Sequence, residues 1–223
     1  MVVAEQEVQA PSRRRLQFNL KTLLVVMTVG GATAGLLLLQ MKNAERFRRE
    51  RARIEQQCRA KGLEVHVNSD LQVDRVQFSG KAKDLAAVRL FPSLEEVTLH
   101  PFGVREAWID LAPLASIPHL RKLELGTVGI GDDDLAHIAG LTELEELELC
   151  YSKVTDRGLR HLRSLRNLRF LWLQGTAVTD AGVDDLLHLK NLRLLEVPSG
   201  VTKNGRARLR AGLPHLSDLR PNK

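Results

Sequence analysis

Seven histidines lie in this chain of 223 residues, and three of them recur in a regular way. His137, His161 and His188 each follow an apolar residue by two positions, in successive stretches of similar sequence. Imidazole is a common ligand of transition metals, so a spaced column of histidines could hold a metal ion. Carboxylate partners are not placed systematically beside these histidines. We therefore predict no metal centre and no cofactor.

Cys150 is the candidate for nucleophilic chemistry, because a cysteine thiolate can attack a substrate. Glu148 lies two residues before it, and a nearby negative charge raises the pKa of a thiol and keeps it protonated. The other cysteine, Cys58, is far away in the sequence, and no CxxC spacing points to a zinc site. The sequence also contains no Gly-rich phosphate loop, GxSxG or HExxH motif. These features predict a protein that is not an enzyme.

The strands and helices that position these residues are predicted by an internal sequence repeat. Four copies of 24 residues follow one another, opening at Leu120, Leu144, Leu168 and Leu192. Two looser copies precede them, one of 21 residues from Val73 and one of 26 residues from Leu94, and Leu216 opens a shortened last copy. Self-similarity at such a period is typical of solenoids, in which each unit stacks on the next.

One copy shows the physical basis of the unit. Its apolar residues are Leu144, Leu147, Leu149, Val154, Leu159, Leu162 and Leu165. Leu147 and Leu149 alternate as in a short strand, Thr155 and Asp156 form an N-cap signal, and the leucines after them give a short helix one apolar stripe. The next copy has apolar residues at the same seven places. Seven inward side chains cannot close a core alone, so the units must stack.

A charge-free run near the N-terminus predicts a membrane anchor. The 20 residues TLLVVMTVGGATAGLLLLQM lie between Lys21 and Lys42, and a helix of that length just spans the ~30 Å of bilayer hydrocarbon. A cleaved secretory signal is the alternative, because small residues at 32–34 resemble a cleavage site. The apolar run continues past that site through Leu36 to Leu39, which favours an uncleaved anchor. Gly31 and Gly35 form a GxxxG motif that would allow a homodimer, although small residues are common in membrane helices.

The segment between anchor and repeats is charged and reads as a helix. Ala44, Phe47, Ile54 and Cys58 have heptad-like spacing, but a solvated stalk is the favoured interpretation. Alternating apolar residues then predict capping strands before the repeats. The predicted organisation is a basic tail at 1–19, a transmembrane helix at 20–41, a charged helical stalk at 42–62, a capping segment at 63–72 and repeats at 73–223.

These copies resemble the leucine-rich-repeat proteins, in the variety whose units read LxxLxLxxTxVTDxGLxxLxxLxx. The resemblance covers about residues 73–219 and is most specific where VTDRGL and VTDAGV occur. The plan of basic tail, anchor, stalk and repeats looks like that of bacterial single-pass members. The resemblance implies an α/β solenoid with a curved parallel sheet and short convex helices, which serves as a protein-binding scaffold. The copy from Leu192 departs from the pattern with VTKNG and Arg206, as suits a terminal unit.

In such a fold, side chains between the inward leucines form columns along the concave sheet, since neighbouring strands lie about 4.8 Å apart. The columns place four glutamates around an apolar cluster, with a tyrosine at the rim. The predicted partner-binding residues are Glu124, Glu146, Glu148, Tyr151, Phe170, Trp172, Leu194 and Glu196. A solvated sheet face remains the alternative for the glutamates, whereas Trp172 favours binding because Leu171 and Leu173 already point inward.

The charge distribution argues against nucleic acid as a partner. The chain carries a net charge of +6, but residues 1–62 hold 12 basic against 5 acidic residues, and the remainder holds 21 against 22. A balanced repeat region offers no general footprint for phosphates. Arginines predicted on the convex side could touch anionic lipid, but solubility is the favoured role.

Membrane topology stays open at this level. Lys and Arg are more numerous after the predicted span than before it, which would place the repeats in the cytoplasm. The short tail with its arginine triplet resembles that of relatives with a cytoplasmic N-terminus, and we expect an extracytoplasmic repeat region. The predicted function is a single-pass membrane protein that holds a protein or peptide partner, of basic or extended character, on its concave face. The alternative is a structural membrane-surface protein that self-associates through anchor and stalk.

Overall fold

The computed structural model describes residue 42 and residues 44–60, 63–79, 85–100, 109–126 and 129–221. The chain divides into two compact units, Met1–Arg48 and Arg49–Lys223. In the first unit, residue 42 and residues 44–48 are helical. The predicted tail and transmembrane helix, with Gly31 and Gly35, lie outside the described residues. Within the described ranges, no helix is both long and apolar enough to cross a bilayer.

The second unit is built on one eight-stranded sheet whose strands follow chain order. It begins with helix α1, residues 49–59. The strands are β1 (Leu63–Val67), β2 (Val73–Ser79), β3 (Glu96–His100), β4 (Lys122–Glu124), β5 (Glu146–Glu148), β6 (Phe170–Trp172), β7 (Leu194–Val197) and β8 (Asp218–Pro221). β1 pairs antiparallel with β2, and every later pair is parallel. The α/β fold with a parallel sheet is therefore confirmed.

Short helical segments connect the parallel strands. The α-helices are α2 (Asp156–Leu159), α3 (Val183–Leu186) and α4 (Lys203–Gly212). The 3₁₀ helices span Leu85–Leu90, Ala112–Ser116, Asp133–Ile138, Arg160–Leu162 and Asp180–Gly182. The longest of these segments, α4, has 10 residues and belongs to the copy that opens at Leu192.

The core runs through the repeats as the apolar spacing predicts. All seven inward residues of the copy from Leu144, and all seven of the copy from Leu168, are at most 1% exposed. They belong to one continuous buried cluster that begins near Cys58 and ends near Leu213. Because each unit covers the apolar edge of the one before it, the core is closed by stacking rather than within any single unit.

The VTDxG turns, and the turn at the same place around Asp132 in the copy before them, link neighbouring copies through a ladder of hydrogen bonds. The Asp132 carboxylate accepts bonds from the backbone N–H and the hydroxyl of Thr155, both at 2.7 Å. Asp156 accepts the same two bonds from Thr179 one copy later, again at 2.7 Å. Asp180 then accepts from the N–H of Thr202 at 2.8 Å and from its hydroxyl at 2.5 Å. We call these three contacts the Asp–Thr ladder.

The threonines and aspartates of the motif therefore have different tasks. Each threonine hydroxyl also accepts a bond from the backbone N–H two residues ahead, as an N-cap does, for example from Arg157 to Thr155. The aspartate reaches forward to the next copy instead of capping its own helix. The sequence predicts the cap but not this longer connection.

The glycine of the motif makes room for the ladder. A Cβ on Gly158 would lie 2.5 Å from Oδ1 of Asp132, and one on Gly182 would lie 2.6 Å from Oδ1 of Asp156. Real Cβ atoms do not approach oxygen so closely, so a side chain here would displace the carboxylate. The spacing Thr-Asp-x-Gly thus encodes a contact between copies.

At the other end of the sheet, α1 contributes to the core. Cys58 is 7% exposed and belongs to the buried cluster, and Ile54 packs against that cluster one turn earlier. A solvated stalk is the expectation from the sequence, but this part of the helix covers the apolar edge beside the hairpin of β1 and β2. The polar residues of α1 face solvent, and the Arg51 side chain pairs with Glu55 at 2.8 Å.

Candidate partner-binding face

The strand register brings the predicted columns together. One column contains Arg75, Glu96, Lys122, Glu146, Phe170, Leu194 and Asp218. Its neighbour contains Gln77, Thr98, Glu124, Glu148, Trp172, Glu196 and Arg220. Seven of the eight predicted site residues therefore lie in two adjacent columns on the face of the sheet that points away from the core. We call this surface the strand face.

An aromatic pair lies on β6 within this face. The rings of Phe170 and Trp172 are stacked, with centroids 6.1 Å apart and planes inclined by 16°. Leu171 between them is fully buried, and both aromatic side chains are only partly buried. Leu194 lies opposite Phe170 on β7 and is partly buried too. The three side chains form a partly exposed apolar patch.

Tyr151, the eighth predicted residue, lies in the turn after β5 and is 59% exposed. Its φ angle is 58°, in the left-handed region that a bulky residue rarely adopts. Its backbone N–H donates to the carbonyl of Gln174 at 2.7 Å, and its ring lies against Gly175. A Cβ on Gly175 would lie 2.8 Å from Cε1 of that ring, so this glycine provides the space for the tyrosine.

Lys122 neutralises part of the predicted acidic surface. Its ammonium group lies 2.8 Å from Glu124, 3.2 Å from Glu96 and 4.0 Å from Glu146. Arg75 also pairs with Glu96, at 2.5 Å, and the Thr98 hydroxyl donates to Glu124 at 3.1 Å. The hydrogen bond to Glu124 is the main reason why the pKa of Lys122 is raised, with a smaller contribution from Glu96 and opposition from burial. Glu96, Glu124 and Glu146, one on each of β3 to β5, thus share the ammonium group of Lys122.

The acidic residues closest to the aromatic pair are Glu148 and Glu196. They lie on either side of Trp172 in the same column, on β5 and β7. Arg220 follows Glu196 on β8, where Asp218 chiefly and Glu196 to a lesser degree raise the pKa of its guanidinium. The strand face therefore has a small central patch of aromatic and acidic groups, and basic residues neutralise the acidic groups towards both of its ends.

Cys150 is placed where its thiol stays protonated. Burial is the main cause that raises its pKa to about 11, and the charges of Glu148 and Glu196 add to it. The direction that the sequence predicts is confirmed, although burial outweighs the glutamate. A thiol with such a pKa is a poor nucleophile near neutral pH.

The recurring histidines do not converge. His188 lies within 3.0 Å of the Asp184 carbonyl, and His161 lies within 3.2 Å of Arg160. Among the described residues, no group of three or more His, Cys, Asp or Glu side chains is arranged to hold a metal ion.

Two features of the face are absent from the sequence prediction. Lys122 stands in the predicted column, so its position was readable, but its sharing by three glutamates depends on how the side chains bend. Gly175 carries no chemical signal of its own, and only its φ angle of 70° and the ring of Tyr151 against it explain its role.

Comparison with known proteins gives similarity of structure only. No family model and no curated protein matches the sequence. Internalin C2 from Listeria monocytogenes is similar with a TM-score of 0.47 and 19% identity, over 63% of this chain and 59% of that one. Pollen receptor kinase 3 is similar with a TM-score of 0.46 and 15% identity, over 70% of this chain and 76% of that one. The chain thus spans less than two thirds of the internalin's length.

The stacked units of this chain, each with a short strand, a helical segment and inward leucines, define a leucine-rich-repeat fold.

Proposed function

We propose that this protein is a membrane-tethered, non-catalytic interaction module that holds a protein or peptide partner on the strand face. The partly exposed pair of Phe170 and Trp172 carries the proposal. Large aromatic side chains contribute much of the binding energy at interfaces, and apolar patches ringed by polar groups mark interaction sites. The core positions of this copy are filled by leucines and valines, so the packing of the repeat does not require either ring.

The surroundings of Trp172 indicate the chemistry of the partner. Glu148 and Glu196 lie on the neighbouring strands, about 4.8 Å to either side. A segment with an apolar side chain next to a lysine or arginine would fit this arrangement, since the carboxylates attract the cation and the rings cover the apolar group. Lys122 and Arg220 bound the acidic region and limit its length to a few strands.

The experiment that tests the proposal is photo-crosslinking with the full chain in the cells that make it. A photoreactive phenylalanine analogue replaces Trp172 in one variant and the exposed Arg160, on the helical side, in a matched control. We expect a defined adduct from the first position and none of the same mass from the second. Equal adducts from both positions, or none from Trp172, would overturn the assignment of the face.

Self-association through anchor and stalk is the alternative function, and the same experiment distinguishes it. It predicts adducts between two copies of this chain, and it predicts that replacing Gly31 and Gly35 with leucine removes them. A partner of a different mass that survives this replacement supports the interaction module.

The side of the membrane decides which partners are available. We propose that the repeats lie outside the cytoplasm, with residues 20–41 as the anchor. Protease added to intact cells should then remove the repeat region, and the same cells broken open should give no additional cleavage. Protection in intact cells would contradict this orientation.

A further inference from the structure

A second surface of the repeats lies at the residues that immediately precede the strands. Residues at this position in successive copies are Arg121, Glu145, Arg169 and Arg193. Together with side chains from the turn before them they line a groove of about 460 Å³. We call it the strand-entry groove. It is polar and distinct from the aromatic patch.

Positive and negative side chains alternate along this groove from Arg121 to Arg169, and the alternation ends at Arg193. Glu145 lies between two arginines and pairs with both, at 3.4 Å to Arg121 and 2.8 Å to Arg169. One carboxylate thus serves the guanidinium groups of the copies before and after it. The next place in the series, where another carboxylate would continue the alternation, is occupied by Arg193.

Arg193 consequently faces Arg169 across one strand spacing without a carboxylate of its own. Among the described residues, no hydrogen bond or ion pair is made by the Arg193 side chain, which is exposed. Like charges directly opposite each other on neighbouring strands are destabilising. Arg169 bonds Glu145 through Nη1, and a guanidinium has five N–H donors, so donors remain on both arginines.

The rest of the groove near Arg193 is held in place by neutral polar groups. The Asn191 amide donates to the carbonyl of Arg166 at 2.8 Å, and the Asn167 amide donates to the carbonyl of Thr142 at 2.9 Å. These bonds fix both side chains on the backbone of the preceding copy. His215 completes the lining. Glu143, the second acidic residue of the lining, lies two copies before Asn191 and pairs with His119 at 3.1 Å.

We propose that the strand-entry groove binds a side-chain carboxylate of an acidic peptide segment, which bridges Arg169 and Arg193. The ligand carboxylate takes the place beside Arg193 that Glu145 takes beside Arg121. Planar guanidinium groups bind carboxylates through paired hydrogen bonds, and such charge-assisted bonds are stronger than neutral ones. The proposal concerns a different surface from the strand face and does not rest on the proposed function.

Fluorescence polarisation with the purified full chain tests this site. The probe is a labelled peptide with four glutamates whose two ends are blocked, and the matched probe has four glutamines. We expect the glutamate peptide to bind at least about tenfold more tightly, since a hydrogen bond to a charged group contributes about 1.5–3 kcal/mol. Raising the salt concentration should weaken binding, because the arginines are exposed.

Variants then locate the binding. Arg193→Gln should reduce the affinity for the glutamate peptide about tenfold or more. Arg210→Gln removes the same charge from exposed α4 and should change the affinity less than about twofold. Trp172→Ala should leave it unchanged, which separates this site from the strand face.

Three results would overturn the proposal. Equal losses in Arg193→Gln and Arg210→Gln would mean that only net charge matters. Equal binding of both blocked peptides would exclude a side-chain carboxylate. A third probe is the glutamine peptide with a free C-terminus. If it binds tightly while its blocked form does not, the groove takes a chain end instead.

Discussion

The VTDxG turns on one side of the solenoid make the same contact three times in succession, whereas the strand face carries different side chains on every strand. Both surfaces are built from the same repeat of about 24 residues, with one strand in each copy. In the turns, Asp132, Asp156 and Asp180 all meet a threonine of the next copy. On the strand face, Glu148 is followed by Trp172 and then by Glu196.

This difference between the turns and the strand face distinguishes residues that hold the copies together from residues that face solvent. A group that must meet its counterpart in the next copy has to be the same in each copy, so the Asp–Thr ladder repeats. A group on the strand face does not have to meet the same counterpart in every copy, so its identity is free to serve something else. Repetition therefore marks structural residues in this protein, and departure from repetition marks candidates for binding.

The largest effect expected from this separation lies on β6 itself. Leu171→Ala removes a fully buried side chain and should lower the free energy of unfolding by about 2–5 kcal/mol. Trp172→Ala, one residue away on the outer face and partly exposed, leaves no closed cavity and should lower it by less, about 1–2 kcal/mol. Urea denaturation of the two variants checks the comparison. Equal losses would mean that the tryptophan is a core residue and not a binding one.

The next effect concerns the space that the ladder requires. Gly158→Ala places a Cβ 2.5 Å from Asp132 Oδ1 and 3.2 Å from Asp132 Cα, and overpacking of this kind should cost about 1–3 kcal/mol. Gly140→Ala is the matched control, because a Cβ there meets nothing within 4 Å. It should be neutral or stabilise by about 0.5 kcal/mol through the unfolded chain. A stable Gly158→Ala variant would show that the ladder can shift without loss.

A smaller effect is expected from the ladder's hydrogen bonds. Asp132→Ala leaves the N–H and hydroxyl of Thr155 without their acceptor and should lower stability by about 1–2 kcal/mol. Asp133→Ala removes the same charge from the adjacent exposed position and should change stability by a few tenths of a kcal/mol. Thermal unfolding of both variants, side by side, measures the difference. Similar melting temperatures of the two variants would contradict a stabilising role for the hydrogen bonds of the ladder.

The smallest effect depends on pH. The hydroxyl of Thr202 is the main reason why the pKa of Asp180 lies below its ordinary value of 3.8. A lowered pKa in the folded state gives stability that is present above pH 3.8 and is lost as the pH falls through the folded value. Asp180→Asn should therefore unfold at lower urea than the wild type at pH 7, and the gap should narrow below pH 3.8. A gap that is constant with pH would show that the charge of Asp180 is not involved.

The residues that the sequence predicted well are those governed by local period. Leucines at fixed intervals within a copy predicted the core, and the register of β2 to β7 followed because the copies align in only one way. The positions of Phe170, Trp172 and Leu194 side by side are a direct result. The strand β1 followed from its alternation, which is also a property of nearby residues.

The features that the sequence did not predict depend on groups in different copies or elements. Asp132 and Thr155 are 23 residues apart, and only their geometry shows that they bond. The sharing of Lys122 by glutamates on three strands depends on the directions of long side chains. Cys58 lies in a strongly charged helix, so its burial depends on how α1 meets the hairpin, which no local pattern encodes.

The Asp–Thr ladder has a direction, because each aspartate is the acceptor for a threonine that comes later in the chain. The last motif, VTKNG, receives a bond at Thr202 but has Lys203 where the earlier motifs have aspartate. The series ends at Thr202 because Lys203 cannot accept such a bond, and it begins at Asp132 because Gly131 has no hydroxyl to donate to an earlier copy. A further copy inserted between those that open at Leu168 and Leu192 could donate to the aspartate before it and accept from the threonine after it. A copy added after Thr202 would meet Lys203, which is no acceptor. Duplication of an internal unit is therefore the way in which this protein could become longer while keeping every rung bonded.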